Sequence, residues 1–261
     1  MTASERREAL QWLQSKSHNP STLHNDALEK HDGQTGQWLH KWTEWNSWLQ
    51  ADNSPVYRFL WIHGIPGAGK SVMASFIIEL IKSHCNGNRN QSLGHAYYYC
   101  QYSHKKDEGP AFLRWSIGQL SRQAKWAPRQ LLQLRESGLD PTIPDLLGTL
   151  STILERFDHV YLAVDGVDES EPRAQMLSVL TTLATDERFH KVRLLITSRL
   201  YHDIERAFSG ISANISMSNY LVAQDISTVV HEWITTSAPM KMWSHLSPLI
   251  EEQLCWKAGG M

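Results

Sequence analysis

The sequence predicts an α/β fold: a five-stranded parallel sheet with helices on both faces, plus an N-terminal helical segment and a truncated C-terminal helical region. Three observations support this prediction. Short apolar runs alternate with longer segments of helical periodicity. The first apolar run leads into a glycine-rich loop, and the third ends in an aspartate. Strands that alternate with helices form parallel sheets with right-handed crossovers.

The segment before the sheet is predicted to be mainly helical. A charged amphipathic helix covers roughly residues 4–14, and a polar linker runs to about Gly36. Four tryptophans then recur with the period of one helical face: Trp38, Trp42, Trp45 and Trp48. We interpret this stripe as packed core in preference to a ligand-stacking surface. Residues 52–55, Asp-Asn-Ser-Pro, are expected to end that helix.

The five predicted strands are rich in β-branched and aromatic residues. They cover residues 59–62, 95–102, 160–164, 192–197 and 213–217. Helices are expected at residues 70–83, in two or three pieces between 110 and 157, and at 171–186. Nearly continuous apolar runs are typical of strands buried on both faces, so we expect helices on both sides of the sheet.

The first strand is followed by a complete phosphate-binding loop, which has Gly, Gly, Lys and Ser at the offsets of that motif. In this context backbone N–H groups converge on the phosphates of a nucleotide. Lys70 is expected to reach the β- and γ-phosphates, and the Ser71 hydroxyl to bind Mg²⁺. The predicted nucleotide-binding residues are Gly64, Ile65, Pro66, Gly67, Ala68, Gly69, Lys70, Ser71 and Val72.

A second motif ends the third strand. Asp165 lies where the carboxyl ends of parallel strands gather ligands, so we predict that it holds Mg²⁺ together with Ser71. Asp168 and Glu169 follow, and either carboxylate would orient a water for attack on the γ-phosphate. The sequence does not separate these two acids. A solvated turn at the start of the next helix is the alternative.

The fourth strand ends in Thr197-Ser198-Arg199. If this strand neighbours the first, Arg199 lies beside the γ-phosphate and stabilises charge there. Thr197 or Ser198 would add a hydrogen bond to the attacking water. The candidate catalytic residues are therefore Asp168, Glu169 and Arg199.

Composition excludes several other classes of protein. The 261-residue chain is 41% hydrophobic and 20% charged, which is ordinary for a globular fold, and its net charge of −2 gives no signal for nucleic acid or an acidic membrane. It has no recognisable signal peptide and no run of about eighteen apolar residues that would span a bilayer. Its three cysteines are odd in number and far apart. We therefore expect reduced thiols and a cytoplasmic location.

The histidines do not predict a structural metal site. The closest cluster is His95, Cys100 and His104, and it lacks a second ligand pair at zinc-site spacing. Mg²⁺ bound with a nucleotide is the one metal expected.

Together these motifs resemble the NACHT branch of the signal-transduction (STAND) P-loop NTPases, in particular the fungal type with a nephrocystin-like N-terminal region. The similarity extends to the Thr-Gly-x-Trp segment at residues 35–38 and to Asp225-Ile226, and it covers roughly residues 20–261. The resemblance implies a switch in which ADP holds an inactive form and ATP permits oligomerisation. Gly166, where many related ATPases carry a glutamate, is itself similar to NACHT proteins.

The resemblance also implies a domain organisation. Residues 1–52 are the N-terminal segment, 53–220 the NTPase core, and 221–261 the start of a helical lid region that is apparently truncated. Protein partners would bind through flanking regions or by self-association. The base of the nucleotide is expected near residues 35–38 or near Asp225.

Three functions follow as hypotheses. The first is an ATP- and ADP-binding switch module that hydrolyses ATP slowly with Mg²⁺. The second is a scaffold that retains nucleotide without hydrolysis and recognises partners through the N-terminal helix and the tryptophan-rich segment. The third is a small-molecule kinase, which requires an arginine-bearing lid that the sequence between the third and fourth strands does not reveal.

Overall fold

The structure is a computed structural model. It describes residues 2–258 except 16, 32, 34, 51–57, 89, 219, 238–242, 244 and 245, and for 220, 221 and 255–258 it describes the backbone alone. The predicted α/β fold with a five-stranded, all-parallel sheet is confirmed. The strands are β1 (Phe59–His63), β2 (Leu93–Tyr99), β3 (His159–Asp165), β4 (Val192–Ser198) and β5 (Ala213–Ser216).

The order of the strands in the sheet is β2-β3-β4-β1-β5. Strand β4 therefore lies between β1, which leads into the glycine-rich loop, and β3, which ends in Asp165. The prediction for Arg199 required the fourth strand to neighbour the first. Strand β4 does pair with β1, and the carboxyl ends of both strands lie at the same edge.

Eleven α-helices lie within the described residues. They are α1 (Ala3–Gln14), α2 (Ser21–Glu29), α3 (Thr43–Leu49), α4 (Lys70–Gly87), α5 (Gly109–Gln123), α6 (Arg129–Glu136), α7 (Ile143–Leu154), α8 (Ala174–Thr185), α9 (His202–Phe208), α10 (Tyr220–Thr236) and α11 (Ser247–Ala258). Three of them, α5 to α7, occupy the stretch where two or three were predicted. No described helix is long and apolar enough to cross a membrane.

Two hydrophobic cores cover the two faces of the sheet. Side chains alternate along a strand, so Phe59 and Trp61 of β1 enter one core while Leu60 and Ile62 enter the other. The first core is completed by α1, α5, α7, α8 and α9, and the second by α3 and α4. Each face of the sheet thus buries its apolar side chains under helices, which explains the nearly continuous apolar runs.

The polar linker predicted up to Gly36 is partly wrong, because helix α2 lies within it. One side of α2 is buried through His24 and Ala27. The His24 ring is 2% exposed and hydrogen-bonds Glu79 of α4 at 2.8 Å and the Tyr99 hydroxyl at 3.1 Å. A helix held by polar tertiary contacts has no apolar periodicity, so the sequence pattern did not reveal it.

The tryptophan stripe is not one helix. Residues Gln37–Lys41 form a 3₁₀-helix, Trp42 is extended, and α3 follows. The packed-core interpretation is supported, because Trp45 and Trp48 are fully buried and stack with ring centroids 5.4 Å apart. The Trp48 indole N–H donates to the Leu194 carbonyl of β4 at 3.1 Å. The predicted break at residues 52–55 lies outside the described residues.

Two other predicted boundaries are wrong. The second strand ends at Tyr99, and Tyr102 lies instead in a short 3₁₀-helix, Tyr102–His104. Helix α8 begins at Ala174 instead of Glu171, because residues 171–173 form an irregular turn that contains Pro172. Both turns lie at the edge of the sheet where β1, β3 and β4 end.

We expect Trp48→Ala to lower the free energy of unfolding by about 3–5 kcal/mol, because it removes a buried indole and leaves a cavity between α3 and the sheet. Urea unfolding measures this change. Trp233→Ala is the control, since Trp233 is 49% exposed on α10 and its loss should cost within about 0.5 kcal/mol. Equal losses in the two variants would contradict the core assignment.

Candidate functional site

The loop between β1 and α4 is held open by glycines. Gly67 and Gly69 have φ values of 81° and 78°, a left-handed conformation that other residues rarely adopt. At Gly64 an added Cβ would lie 2.8 Å from the Met217 Cβ, so a side chain does not fit there. The loop therefore requires glycine at these three positions, and it delivers the amino end of α4 to the edge of the sheet.

The Lys70 ammonium lies over this loop. Its Nζ donates to the carbonyls of Gly64 and Ile65, both at 2.9 Å. Burial lowers the pKa of Lys70, whereas the Asp168 carboxylate opposes that shift. A positive charge is thus positioned where the loop's N–H groups and the α4 dipole also favour an anion.

Asp165 joins three elements. Its carboxylate accepts a hydrogen bond from the Thr197 hydroxyl of β4, and the Ser71 hydroxyl of α4 lies close enough to lower its pKa. The Thr197 hydroxyl in turn accepts the N–H of Gly166 at 3.0 Å. Burial raises the pKa of the Asp165 carboxyl above its ordinary value. The two residues predicted to share a metal ion therefore lie near each other and line one cavity.

The neighbouring acid, Asp168, is occupied by Arg199. One carboxylate oxygen accepts the backbone N–H of Arg199 at 3.0 Å, and the other lies 3.1 Å from the Arg199 Nε. The Asp168 side chain is 5% exposed. Both oxygens thus hold the end of β4 in place.

Glu169 has a different environment. Its pKa is raised by burial and by the carboxylates of Asp168 and Asp165, while the nearby backbone N–H of Tyr102 opposes that shift. The side chain is only half-buried and makes no ion pair among the described residues. The partners of Asp168 and Glu169 therefore distinguish two acids that the sequence left equivalent.

The two hydroxyls at the end of β4 also differ. Thr197 faces the Asp165 carboxylate, as described above. Ser198 points to the opposite face, where its hydroxyl accepts the Trp61 indole N–H at 2.8 Å and donates to the Arg199 carbonyl at 2.9 Å. Of the two candidates, only Thr197 lines the cavity beside the glycine-rich loop.

A cavity of about 280 Å³ collects most of the predicted residues. It is lined by Pro66, Gly67, Gly69, Lys70, Ser71, Val72, Asp165, Gly166, Asp168, Glu169, Thr197 and Arg199. Three predicted loop residues do not line it: Gly64 faces Met217, Ile65 contributes its carbonyl to Lys70, and Ala68 lines the next cavity. This cavity is open beside the loop and has the charges that a polyphosphate and its cation require.

An apolar cavity of about 260 Å³ adjoins it, and the two share Gly69 and Val72. Both segments expected to flank the base contribute to its wall. Thr35, Gly36 and Trp38 come from one, and Val222, Asp225 and Ile226 from the other. The Gly36 N–H donates to the Asp225 carboxylate, which ties α10 to the loop before α3.

A third, polar cavity of about 750 Å³ lies beyond Asp168, Glu169 and Arg199, which it shares with the first. Its wall includes Arg173, which sequence reasoning missed. Arg173 donates to the Asp168 carbonyl at 2.8 Å and pairs with Asp203 at 3.1 Å. No motif marks this arginine, since its position depends on the irregular turn before α8.

Magnesium is the metal that these residues fit. Among the described residues no group of three or more His, Cys, Asp or Glu side chains could hold a metal, so His95, Cys100 and His104 do not form a site. The hydroxyl and carboxylate of Ser71 and Asp165 are hard oxygen donors. Mg²⁺ in nucleotide sites uses one or two such ligands and completes its shell with phosphate and water.

Comparisons with known proteins give one family match. The family model described as Nephrocystin 3, N-terminal, matches residues 34–199. The crystal structure of Cdc6p from Pyrobaculum aerophilum is similar with 16% identity over 82% of this chain and 52% of that one, at a TM-score of 0.47. The structure of Drosophila ORC bound to DNA is similar with 10% identity over 90% and 55%, at a TM-score of 0.42. The chain thus spans about half the length of either. No curated protein matches it significantly.

We expect Asp165→Asn to stabilise the nucleotide-free protein at neutral pH by on the order of 1 kcal/mol. The raised pKa means that the folded state binds this proton more tightly than the unfolded chain, so wild-type stability falls as pH rises through that interval. The difference should therefore shrink as pH falls toward the ordinary value of 3.8. Urea unfolding in EDTA at several pH values measures it. Exposed Asp26→Asn is the control, and a pH-independent difference would contradict the argument.

Proposed function

Because the chain belongs to the nephrocystin 3 N-terminal family, whose model matches residues 34–199, we propose that it binds ATP and ADP with Mg²⁺ and hydrolyses ATP slowly. In this proposal it is the NTPase module of a NACHT-type signalling switch. The observation that carries it is that Asp165 and Ser71 lie together at the wall of an open cavity beside the glycine-rich loop.

The phosphates would occupy the cavity at the amino end of α4. The loop's left-handed glycines, the start of α4 and the Lys70 ammonium all favour an anion at this point. Lys70 would exchange the carbonyls of Gly64 and Ile65 for phosphate oxygens. That exchange is favourable because hydrogen bonds from a cation to a charged acceptor are stronger than those to a neutral one.

The cation would be held by Ser71 and Asp165. Mg²⁺ supplies neutralisation of charge on the β- and γ-phosphates. The chain's own contribution is orientation: Thr197 fixes the Asp165 carboxylate by a hydrogen bond. Burial raises the pKa of the Asp165 carboxyl, and a cation beside it would oppose that shift, because an opposite charge favours the ionised form.

Hydrolysis would depend on Glu169 for the orientation of water. Asp168 is occupied on both oxygens by Arg199, whereas Glu169 keeps acceptor capacity and lines both the phosphate cavity and the polar cavity beyond it. A raised pKa brings a carboxylate closer to the range that suits a general base. Arg199 would stabilise the γ-phosphate from its place beside Asp168.

Adenine would fill the apolar cavity. The cavity lies next to the phosphate cavity, and its lining by Trp38, Met73, Met217 and Ile226 suits a flat aromatic ring. A ligand there would contact both the core and α10, so nucleotide binding would also hold the first turns of the C-terminal helices. This arrangement supports the proposed division at about residue 220 between an NTPase core and a lid region.

A nucleotide-retaining scaffold is the second candidate. It fits the ion pair between Arg199 and Asp168, because the charge of this acid is already paired. Partner recognition through the tryptophan-rich segment has less support, because Trp38, Trp45 and Trp48 are buried. Self-association or binding through flanking regions remains the proposal for partners. A small-molecule kinase has little support, since Arg173 is held by Asp203 and Glu171.

Mass spectrometry of nucleotide released from the purified chain tests the adenine assignment, and we expect ADP or ATP.

Lys70→Ala should lower ADP affinity roughly 10- to 100-fold and abolish ATP turnover, because it removes the cation that meets the phosphates. Calorimetry and phosphate release measure the two effects, with exposed Lys41→Ala as the control. Bound GDP, or equal turnover in wild type and Lys70→Ala, would refute the proposal.

The two acids should respond differently to loss of charge. We expect Glu169→Gln to reduce turnover about 100-fold or more while ADP affinity and stability stay unchanged. Asp168→Asn should instead lower thermal stability, because it weakens the anchor of Arg199. Phosphate release and thermal unfolding of both variants separate these outcomes. Full turnover in Glu169→Gln would show that this residue does not orient the water.

A further inference from the structure

Glu108 is a fully buried acid that the proposed function does not use. It lies just before α5, and its carboxylate caps no N–H of that helix. The carboxylate instead accepts three hydrogen bonds from the preceding loop and strand. Their donors are the Tyr98 hydroxyl at 2.6 Å, the Gln101 backbone N–H at 2.7 Å and the His104 Nδ1 at 3.0 Å.

These bonds fix the chain next to Glu169. Gln101 gives its N–H to Glu108, and the following residue, Tyr102, gives its N–H to Glu169. Two consecutive N–H groups of this loop thus interact with two different acids, the first with a buried carboxylate and the second with the candidate water-orienting acid. The Tyr102 side chain plays no part in this contact, since it is 65% exposed at the wall of the polar cavity.

A second contact links Glu108 to the same turn. Its backbone N–H donates to the Ser170 hydroxyl at 3.0 Å, and Ser170 directly follows Glu169. Glu108 therefore holds both segments that determine where the Glu169 carboxylate lies, one through its side chain and one through its main chain.

We propose that Glu108 is a positioning residue for Glu169, acting through the main chain of residues 101–102. The inference rests on the proposed function, in which Glu169 orients the attacking water. Glu108 touches neither nucleotide nor water. It sets the location of the Tyr102 N–H, which in turn interacts with the Glu169 carboxylate.

The cost of burying this carboxylate argues against a purely structural role. A buried charge is unfavourable unless hydrogen bonds compensate it, and an apolar residue of similar volume would stabilise the fold as well or better. Glu108 also lies near other acids. Burial raises the pKa of the Cys100 thiol, and the nearby carboxylates of Glu108, Asp165, Glu169 and Asp168 raise it further. An additional negative charge at this place is explained by the need to orient a polar loop.

The loop that Glu108 holds also meets the N-terminal segment. The His104 ring stacks on His18 with centroids 3.8 Å apart and an interplanar angle of 14°. His104 donates to Glu108 from the other side of its ring. The position of residues 101–104 is therefore supported from both the core and the segment before residue 34, where the family match begins.

The neighbouring residue supplies a matched control. Asp107 is also an acid in this loop, but its carboxylate accepts the N–H groups of Gln175 at 2.6 Å and Met176 at 2.8 Å, and so holds the start of α8. Asp107→Asn should disturb folding to a similar degree as Glu108→Gln without moving Tyr102. Thermal unfolding of both variants shows whether the structural costs are matched.

The test compares wild type, Glu108→Gln and Asp107→Asn in two measurements. The first is ATP turnover with the KM for MgATP and the Kd for ADP. We expect Glu108→Gln to lower kcat about 10- to 100-fold with both binding constants unchanged, because a displaced carboxylate affects the water and not the nucleotide. Asp107→Asn should leave kcat unchanged. A parallel loss of kcat and ADP affinity in Glu108→Gln, or an equal loss in Asp107→Asn, would overturn the proposal.

The second measurement does not need turnover. In protein labelled with ¹⁵N-tyrosine, the Tyr102 amide resonance is assigned from its absence in Tyr102→Phe, and it should move in Glu169→Gln. If Glu108 positions the loop, Glu108→Gln moves the same resonance and Asp107→Asn does not. An unmoved Tyr102 resonance in Glu108→Gln overturns the inference. A wild-type chain that binds ADP without hydrolysis would refute the hydrolytic part of the proposed function, while this resonance still decides whether Glu108 controls the contact with Glu169.

Discussion

The buried carboxylate of Asp165 connects the elements on which the site depends. It lies at the end of β3, accepts a hydroxyl hydrogen bond from β4 and lies near the Ser71 hydroxyl of α4, so that three chain segments far apart in sequence meet around it. In this sheet β4 lies between β1 and β3, and Thr197 at the end of β4 is therefore beside Asp165. The glycine-rich loop, the acids after β3 and Arg199 then share one edge and one cavity.

Three cavities adjoin one another along the edge of the sheet where β1, β3 and β4 end. The cavity beside the glycine-rich loop shares Gly69 and Val72 with the apolar cavity, and Asp168, Glu169 and Arg199 with the outer polar one. Polarity thus changes from apolar to charged along this edge. Such a gradient suits a ligand with an aromatic ring at one end and a polyphosphate at the other.

The N-terminal segment is attached to this edge by polar contacts. His24 of α2 bonds Glu79 on α4 and Tyr99 at the end of β2, and Lys82 completes the group at 2.7 Å from Glu79. Burial lowers the pKa of His24, so the ring favours its neutral form as a bridge between helix and strand. Together with the stack of His18 on His104, these contacts fasten residues before the family match to the helix and the loop that bear the site.

The sequence by itself determined the parts of this protein that depend on local chemistry. The apolar runs specified five strands, the glycines specified a left-handed loop, and the residues at the ends of β3 and β4 marked one functional edge, because backbone conformation and strand period are local properties. The order of the strands, the partners of Asp168 and Glu169, and the different directions of Thr197 and Ser198 were decided only by the tertiary structure. Helix α2 was likewise revealed only by the tertiary structure, because its buried side includes a histidine. These features depend on contacts between residues 30 to 150 positions apart, whose energies no local pattern records.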